Sequence, residues 1–161
     1  MAKVAIIMGS ASDYGVVKKS EEMLEKLGIE YETKVLSAHR TPLEACEFAL
    51  NADSDGFEVI IAAAGKAAHL AGVIAANTPL PVIGIPIKTS FAGGLDSLLS
   101  VVQMPKGVPV ATVAVDGSEN AAILAAQILS VKYPHIKDTI LEYKEQIHDE
   151  VLSSNNKIKG E

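Results

Sequence analysis

Cysteine is almost missing from this chain. Cys46 stands alone in 161 residues, which excludes an intrachain disulfide and a cysteine-based metal cluster. That usage suits a reducing cytosol, so a cytoplasmic protein is expected. Cys46 falls inside a helical pattern and reads as a buried structural thiol rather than a nucleophile. Aromatics are scarce too: three phenylalanines, four tyrosines and no tryptophan. No segment reaches the roughly 20 unbroken apolar residues of a membrane span. The richest, Val59 to Ala76, is cut by Lys66 and His69. The opening Met1-Ala2-Lys3-Val4 lacks the layout of a secretory signal. Positive charge is in the minority, 14 basic against 20 acidic residues. The net charge of −6 has the wrong sign for holding a phosphate polymer by counterion release, so nucleic acid is not an expected partner. Neither Gly-x-Gly-x-x-Gly nor a P-loop occurs, which disfavours dinucleotides and nucleoside triphosphates. A Gly-x-Ser-x-Gly elbow is missing, and no His/Asp/Glu spacing resembles a metal triad.

What the chain has is alternation. Short β-branched runs and helical patterns follow one another throughout, which predicts βαβ units, a parallel sheet and an α/β fold. Val4–Met8, Tyr31–Leu36, Val59–Ala63, Val82–Pro86 and Val110–Val115 read as five strands. Helices are expected at about Tyr14–Leu27, from Pro42, at Leu70–Ala76, Leu95–Gln103, Asn120–Val131 and Ile136–Leu152. Gly28 closes the first. Thr41-Pro42-Leu43-Glu44 opens the second with a capping hydroxyl, proline at the first helical position and glutamate three after the cap. One domain over residues 1–161 is expected, with about 136–161 forming a C-terminal helix and, after Ser153, a frayed polar tail. Mean hydropathy is +0.25, high for a domain so poor in aromatics. The Asn120–Val131 segment is apolar almost all round, and such helices are normally covered on more than one side. Both features predict a homo-oligomer.

Three polar runs follow directly on strands: Gly9-Ser10-Ala11-Ser12-Asp13, Ser37-Ala38-His39-Arg40-Thr41-Pro42 and Ala64-Gly65-Lys66-Ala67-Ala68-His69-Leu70. In an open parallel sheet ligands bind beyond the carboxyl ends of the strands. Neighbouring strand ends would thus gather hydroxyls, a carboxylate, a guanidinium and two imidazoles, a set suited to an anionic small molecule and proton transfer. Ser10, Ser12 and Asp13 form an anion site at a helix start, or else Ser12 or Asp13 merely caps that helix. His39 can give and take a proton near neutrality, and Arg40 offers a planar fork to phosphate or carboxylate. His69 is a second candidate or a hydrogen-bonded core histidine; Lys66 holds an anion or faces water. His135 and His148, in the charged C-terminal region, read as solvated and idle.

Those runs resemble the class I 5-(carboxyamino)imidazole ribonucleotide mutase family of purine biosynthesis. Further matching pieces are Leu80-Pro81-Val82-Ile83-Gly84-Ile85-Pro86-Ile87, Gly94-Leu95-Asp96-Ser97-Leu98-Leu99-Ser100, Val102-Gln103-Met104-Pro105, Gly107-Val108-Pro109-Val110-Ala111-Thr112 and Asn120-Ala121-Ala122. The resemblance implies a flavodoxin-like three-layer αβα sandwich with a five-stranded parallel sheet, assembled as a homo-octamer. It also implies cofactor-free and metal-free transfer of a carboxyl group from the exocyclic nitrogen to ring carbon 4 of an imidazole ribonucleotide. By position, Ser10, Asp13 and Arg40 would bind the ribose phosphate, with Ser12 and Ser37 nearby. His39 would be the general acid/base, and Gly65, Lys66, His69 and Leu70 would border the base and carboxylate. The sequence departs from that pattern at Lys66, where glycine is expected, and at Ala71, where proline is expected. A positive φ at position 66 would strain lysine; alternatively, its ammonium reaches the substrate carboxylate.

Two rival readings are a related aminoimidazole ribonucleotide carboxylase using free carbon dioxide and a non-catalytic flavodoxin-like module. Arg40-Thr41-Pro42 and Ala67-Ala68-His69-Leu70 favour the mutase. A phospho-receiver needs an aspartate where Ala62-Ala63-Ala64 stands, and a flavin carrier needs aromatics that the third-strand loop lacks.

Overall fold

Strands apolar on both faces are stable only when helices cover the sheet above and below. The computed structural model, which describes residues 2–158, has that arrangement. Strands β1 (Lys3–Met8), β2 (Glu30–Val35), β3 (Val59–Ala64), β4 (Val82–Pro86) and β5 (Ala111–Thr112) form one sheet in the order β2-β1-β3-β4-β5. All four pairings are parallel. This is the flavodoxin-like order, whose direction of winding reverses between β1 and β3. Helices α1 (Tyr14–Lys26), α5 (Ser118–Ser130) and α6 (Pro134–Ile158) cover one face. The other is covered by α2 (Pro42–Asn51), α3 (Leu70–Ala76) and α4 (Leu95–Val102). The strands supply both cores by alternation. Val4, Ile6, Met8, Val59, Ile61 and Ala63 face the α1 side, and Ala5, Ile7, Ile60 and Ala62 face the α2 side. The architecture matches the sequence expectation.

Several local expectations need correction. Strand β5 is only Ala111–Thr112, not Val110–Val115. Its partner β4 ends at Pro86, which has no N–H for the ladder. The chain then turns at Asp116, whose own N–H donates to the Pro86 carbonyl at 2.9 Å. Helix α6 continues to Ile158, past Ser153, because neither proline nor glycine interrupts it after Pro134; residues 159–161 lie outside the described residues. The apolar Asn120–Val131 segment is covered largely within the chain, with Val131 left exposed. Ala121, Ala122, Ala125, Ala126 and Leu129 are buried, and α1 and α6 pack along the same helix. Alanines allow that approach from several sides. Cys46 is half-buried rather than buried, with the Asn77 amide 3.8 Å from its sulfur. His135 and His148 are exposed. Among the described residues no helix is long and apolar enough to cross a membrane.

Candidate active site

A cleft of about 840 Å³ opens beyond the carboxyl ends of β1 to β4. Every residue expected at the site lines it: Ser10, Ser12, Asp13, Ser37, His39, Arg40, Gly65, Lys66, His69 and Leu70. The sequence reading missed a further wall after β4, formed by Ile87, Lys88, Thr89, Ser90 and Asp96. Its position just past a strand end was an available signal, but no histidine or arginine drew attention to it.

After β1 the chain makes a short 3₁₀ turn, Ala11–Asp13, before α1 begins. The cap of this turn is Ser10: its Oγ accepts from the Ser12 N–H at 3.3 Å and from the Ser12 hydroxyl at 2.8 Å. Neither Ser12 nor Asp13 serves as the cap, which corrects the simpler of the two readings. Asp13 makes no capping bond, so its carboxylate remains at the cleft wall with Ser12 Oγ 3.4 Å away. Burial pushes the Asp13 carboxyl above its ordinary range, the Ser12 hydroxyl and the Arg40 charge pull it back, and Asp116 adds to the rise.

Helix α2 starts with Pro42 at its first turn, as expected, but Thr41 does not cap it. The Thr41 hydroxyl instead turns back, accepting from the Ser37 N–H at 2.8 Å and donating to the Ser37 carbonyl at 3.1 Å. Its N–H bonds the same carbonyl at 2.9 Å. These three bonds close the loop carrying His39 and Arg40, satisfying backbone groups that a helix N-terminus leaves unpaired. Ser37 Oγ receives the Arg40 N–H at 3.2 Å and the Arg40 Nε–H at 3.4 Å. Arg40 Nη2 donates to the Gly9 carbonyl at 2.8 Å, tying the second loop to the first. Arg40 borders the cleft, and its charge acts on Asp13.

His39 Nε2 lies 3.0 Å from His69 Nδ1, with the rings edge-on at 75°. His69 is therefore no core residue; it is exposed and partners His39 across β1. A hydrogen bond between two imidazoles needs one nitrogen with a proton and one without. The pair thus holds a proton between two rings and can pass it to a ligand at either. On the same loop Lys66 adopts φ 56°, the left-handed conformation glycine prefers. The positive φ considered from the sequence is present, at a cost of about 1–2 kcal/mol. Leu70 and Ile87 are buried and give the cleft an apolar floor. In the fourth wall the Thr89 hydroxyl donates to Asp96 at 2.6 Å, and the Lys88 N–H donates to Asp116 at 2.8 Å.

A flavodoxin-like sheet with serine, aspartate and arginine side chains and a histidine pair gathered at its switch point has the layout of a small-molecule enzyme of the α/β class. The chain belongs to the AIR carboxylase (AIRC) family, which its residues 3–150 match. The N5-carboxyaminoimidazole ribonucleotide mutase of Thermotoga maritima is 56% identical over 159 residues, 99% of this chain and 93% of the relative. That of Pyrococcus abyssi is 58% identical over 147 residues, 91% of this chain and 84% of the relative. The crystal structure of Treponema denticola PurE superposes with a TM-score of 0.90 at 29% identity, covering 99% of both chains.

Proposed function

We propose that this enzyme is an N5-carboxyaminoimidazole ribonucleotide mutase of purine biosynthesis, moving the carboxyl group from the exocyclic nitrogen to ring carbon 4. The observation that carries the reading is the His39–His69 contact of 3.0 Å, set in a cleft with Arg40, Ser10 and Asp13. Ser10, Asp13 and Arg40 hold the ribose phosphate, with Ser12 and Ser37 shaping their loops. Gly65, Lys66, His69 and Leu70 border the imidazole and its carboxylate.

His39 is the general acid/base. Protonation of the carbamate nitrogen lets its C–N bond break and carbon dioxide leave, the bond pair staying on nitrogen. Carbon 4 of the freed aminoimidazole, which is electron-rich, then attacks the carbon dioxide. The proton displaced from carbon 4 returns to the imidazole, so one proton enters at nitrogen and one departs from carbon. A single ring with alternating roles balances the sequence, with His69 positioning it and sharing its proton. Such transfer contributes about 10²–10⁴-fold. Holding carbon dioxide beside its acceptor adds a proximity gain, and the alanine- and leucine-lined floor limits escape of the gas to water.

Direct carboxylation of aminoimidazole ribonucleotide by free carbon dioxide is the rival reaction on the same scaffold. The mutase names of the Thermotoga maritima and Pyrococcus abyssi relatives support the intramolecular route. The lone cysteine supports a cytoplasmic location. The resemblance supports an assembly of eight subunits, and exposed Leu95, Leu99 and Val102 on α4 offer an apolar surface for it. An absorbance assay for 5-amino-4-carboxyimidazole ribonucleotide tests the reaction in two regimes. Product arises mainly from the N-carboxylated ribotide in bicarbonate-depleted buffer if the mutase reading holds. Efficient product only from aminoimidazole ribotide with abundant bicarbonate would identify the carboxylase. No product in either regime would refute both.

A further inference from the structure

Among the described residues, three other than glycine occupy left-handed backbone: Lys66 at φ 56°, Ala92 at 43° and Asp116 at 56°. Such strain persists where the surroundings impose it, and it concentrates at functional sites. For Asp116 there is a visible return, since its carboxylate accepts the Lys88 N–H. Lys66 has none: among the described residues its ammonium makes no hydrogen bond or ion pair, although the residue borders the cleft. The two carboxylates of the same cleft are engaged, Asp13 with the Ser12 hydroxyl and Asp96 with the Thr89 hydroxyl. Lys66 also stands three residues before His69, on the loop that partners the acid/base. Arg40 is held among Gly9 and Ser37, on the loops after β1 and β2. The cleft therefore carries one cation beside the first two loops and a second, uncommitted one beside the histidine pair. Lys88, the third cation of the cleft, also has no side-chain partner among the described residues, but it follows β4 rather than β3, away from the loop of His69, and its backbone lies outside the left-handed region.

We infer that Lys66 is a specificity-determining residue whose ammonium pairs with the carboxylate common to substrate and product. The inference rests on the reaction proposed above and adds to it the group that reads the migrating carboxyl. A consequence follows from charge. Both end states carry the carboxylate anion, but the carbon dioxide between them is neutral. An ammonium therefore stabilises the bound ground states at least as well as the transition states, which lowers KM without raising kcat.

Binding of two ribotides to Lys66→Met, Lys66→Arg and Lys66→Gly tests this, with calorimetric titration as the readout. One ribotide is 5-amino-4-carboxyimidazole ribonucleotide; the other is 5-aminoimidazole ribonucleotide, which lacks the carboxylate. Lys66 is exposed, so all three variants should fold, and Lys66→Gly should melt higher as the strain is relieved. Lys66→Met should bind the carboxylated ribotide about tenfold more weakly and the other within about twofold, as expected for one charge-assisted bond in a partly wet cleft. Lys66→Arg should recover most of the loss, and Lys66→Gly should share it. In turnover, Lys66→Met should raise KM by a similar factor and leave kcat within about twofold. An equal loss for both ribotides would assign Lys66 to the phosphate and overturn the inference, as would no loss at all. Native protein that binds neither ribotide would overturn the proposed reaction and this inference with it.

Discussion

Replacing His39 with asparagine keeps a polar side chain of similar reach but removes the group that can gain and lose a proton near neutrality. The side chain is exposed, and its one hydrogen bond is the 3.0 Å contact with His69 Nδ1. The fold therefore depends little on it, and His39→Asn should melt within a few degrees of the native enzyme. The anion-binding groups hold their positions without it: Arg40 is fixed by Ser37 and Gly9, and Ser10 by Ser12. Ribotide affinity should accordingly stay within about threefold, while kcat falls about 10²–10⁴-fold, the usual worth of a positioned acid/base. That range equals about 3–5 kcal/mol of barrier. His69→Asn should cost less, because it removes the orienting partner and leaves the transferring ring. The double variant should be no slower than His39→Asn, since the two rings act as one unit and their effects do not add. Absorbance turnover of the N-carboxylated ribotide reads kcat, and calorimetry reads affinity. A His39→Asn enzyme within tenfold of native kcat would refute the acid/base role. Strictly additive losses would refute the paired arrangement.

Asp13→Asn should weaken ribotide binding and raise the melting temperature at neutral pH. Burial lifts the Asp13 carboxyl in the folded state, so its ionisation destabilises the native form. The gain should be full above the raised folded value and vanish as pH falls below the ordinary aspartate range; a variant less stable than native at neutral pH refutes this. Gly84→Ala would place a methyl 2.3 Å from Val101 Cγ1 and 3.0 Å from Val110 Cγ1 in the α2-side core. Overpacking of that kind costs about 1–3 kcal/mol, a few degrees of melting temperature per kcal/mol, and Val101→Ala should recover part of it. Unchanged thermal unfolding of Gly84→Ala would show that the β4–α4 packing yields more easily than the contact distances imply. Sedimentation at micromolar protein should give one species of octameric mass, and a monomer alone would rule out the proposed assembly.

The sheet was legible because each strand is a short apolar run and each helix begins or ends on a recognisable residue, Pro42 and Gly28 among them. The site was legible for the same reason: polar runs after β1, β2 and β3 must lie along one edge once the strands are parallel. Periodicity did not reveal which side-chain atoms meet. Thr41 reads as a cap by spacing, yet its hydroxyl serves Ser37, because two backbone groups of the loop compete for it. The apolar segment of α5 reads as a subunit contact, yet α1 and α6 cover it within the chain. The wall after β4 carried no residue distinctive enough to single out, and its membership rests on the loop folding over the switch point.

By itself the sequence determined the strand and helix order and the polar loops that border the cleft, since local apolar periodicity and composition are enough for these. Tertiary structure alone decided that His39 meets His69, 30 positions on, that Arg40 reaches the Gly9 carbonyl and that Lys66 takes a glycine-like backbone. Those outcomes depend on how β1, β2 and β3 stack in register, a long-range relation that no local run of residues encodes.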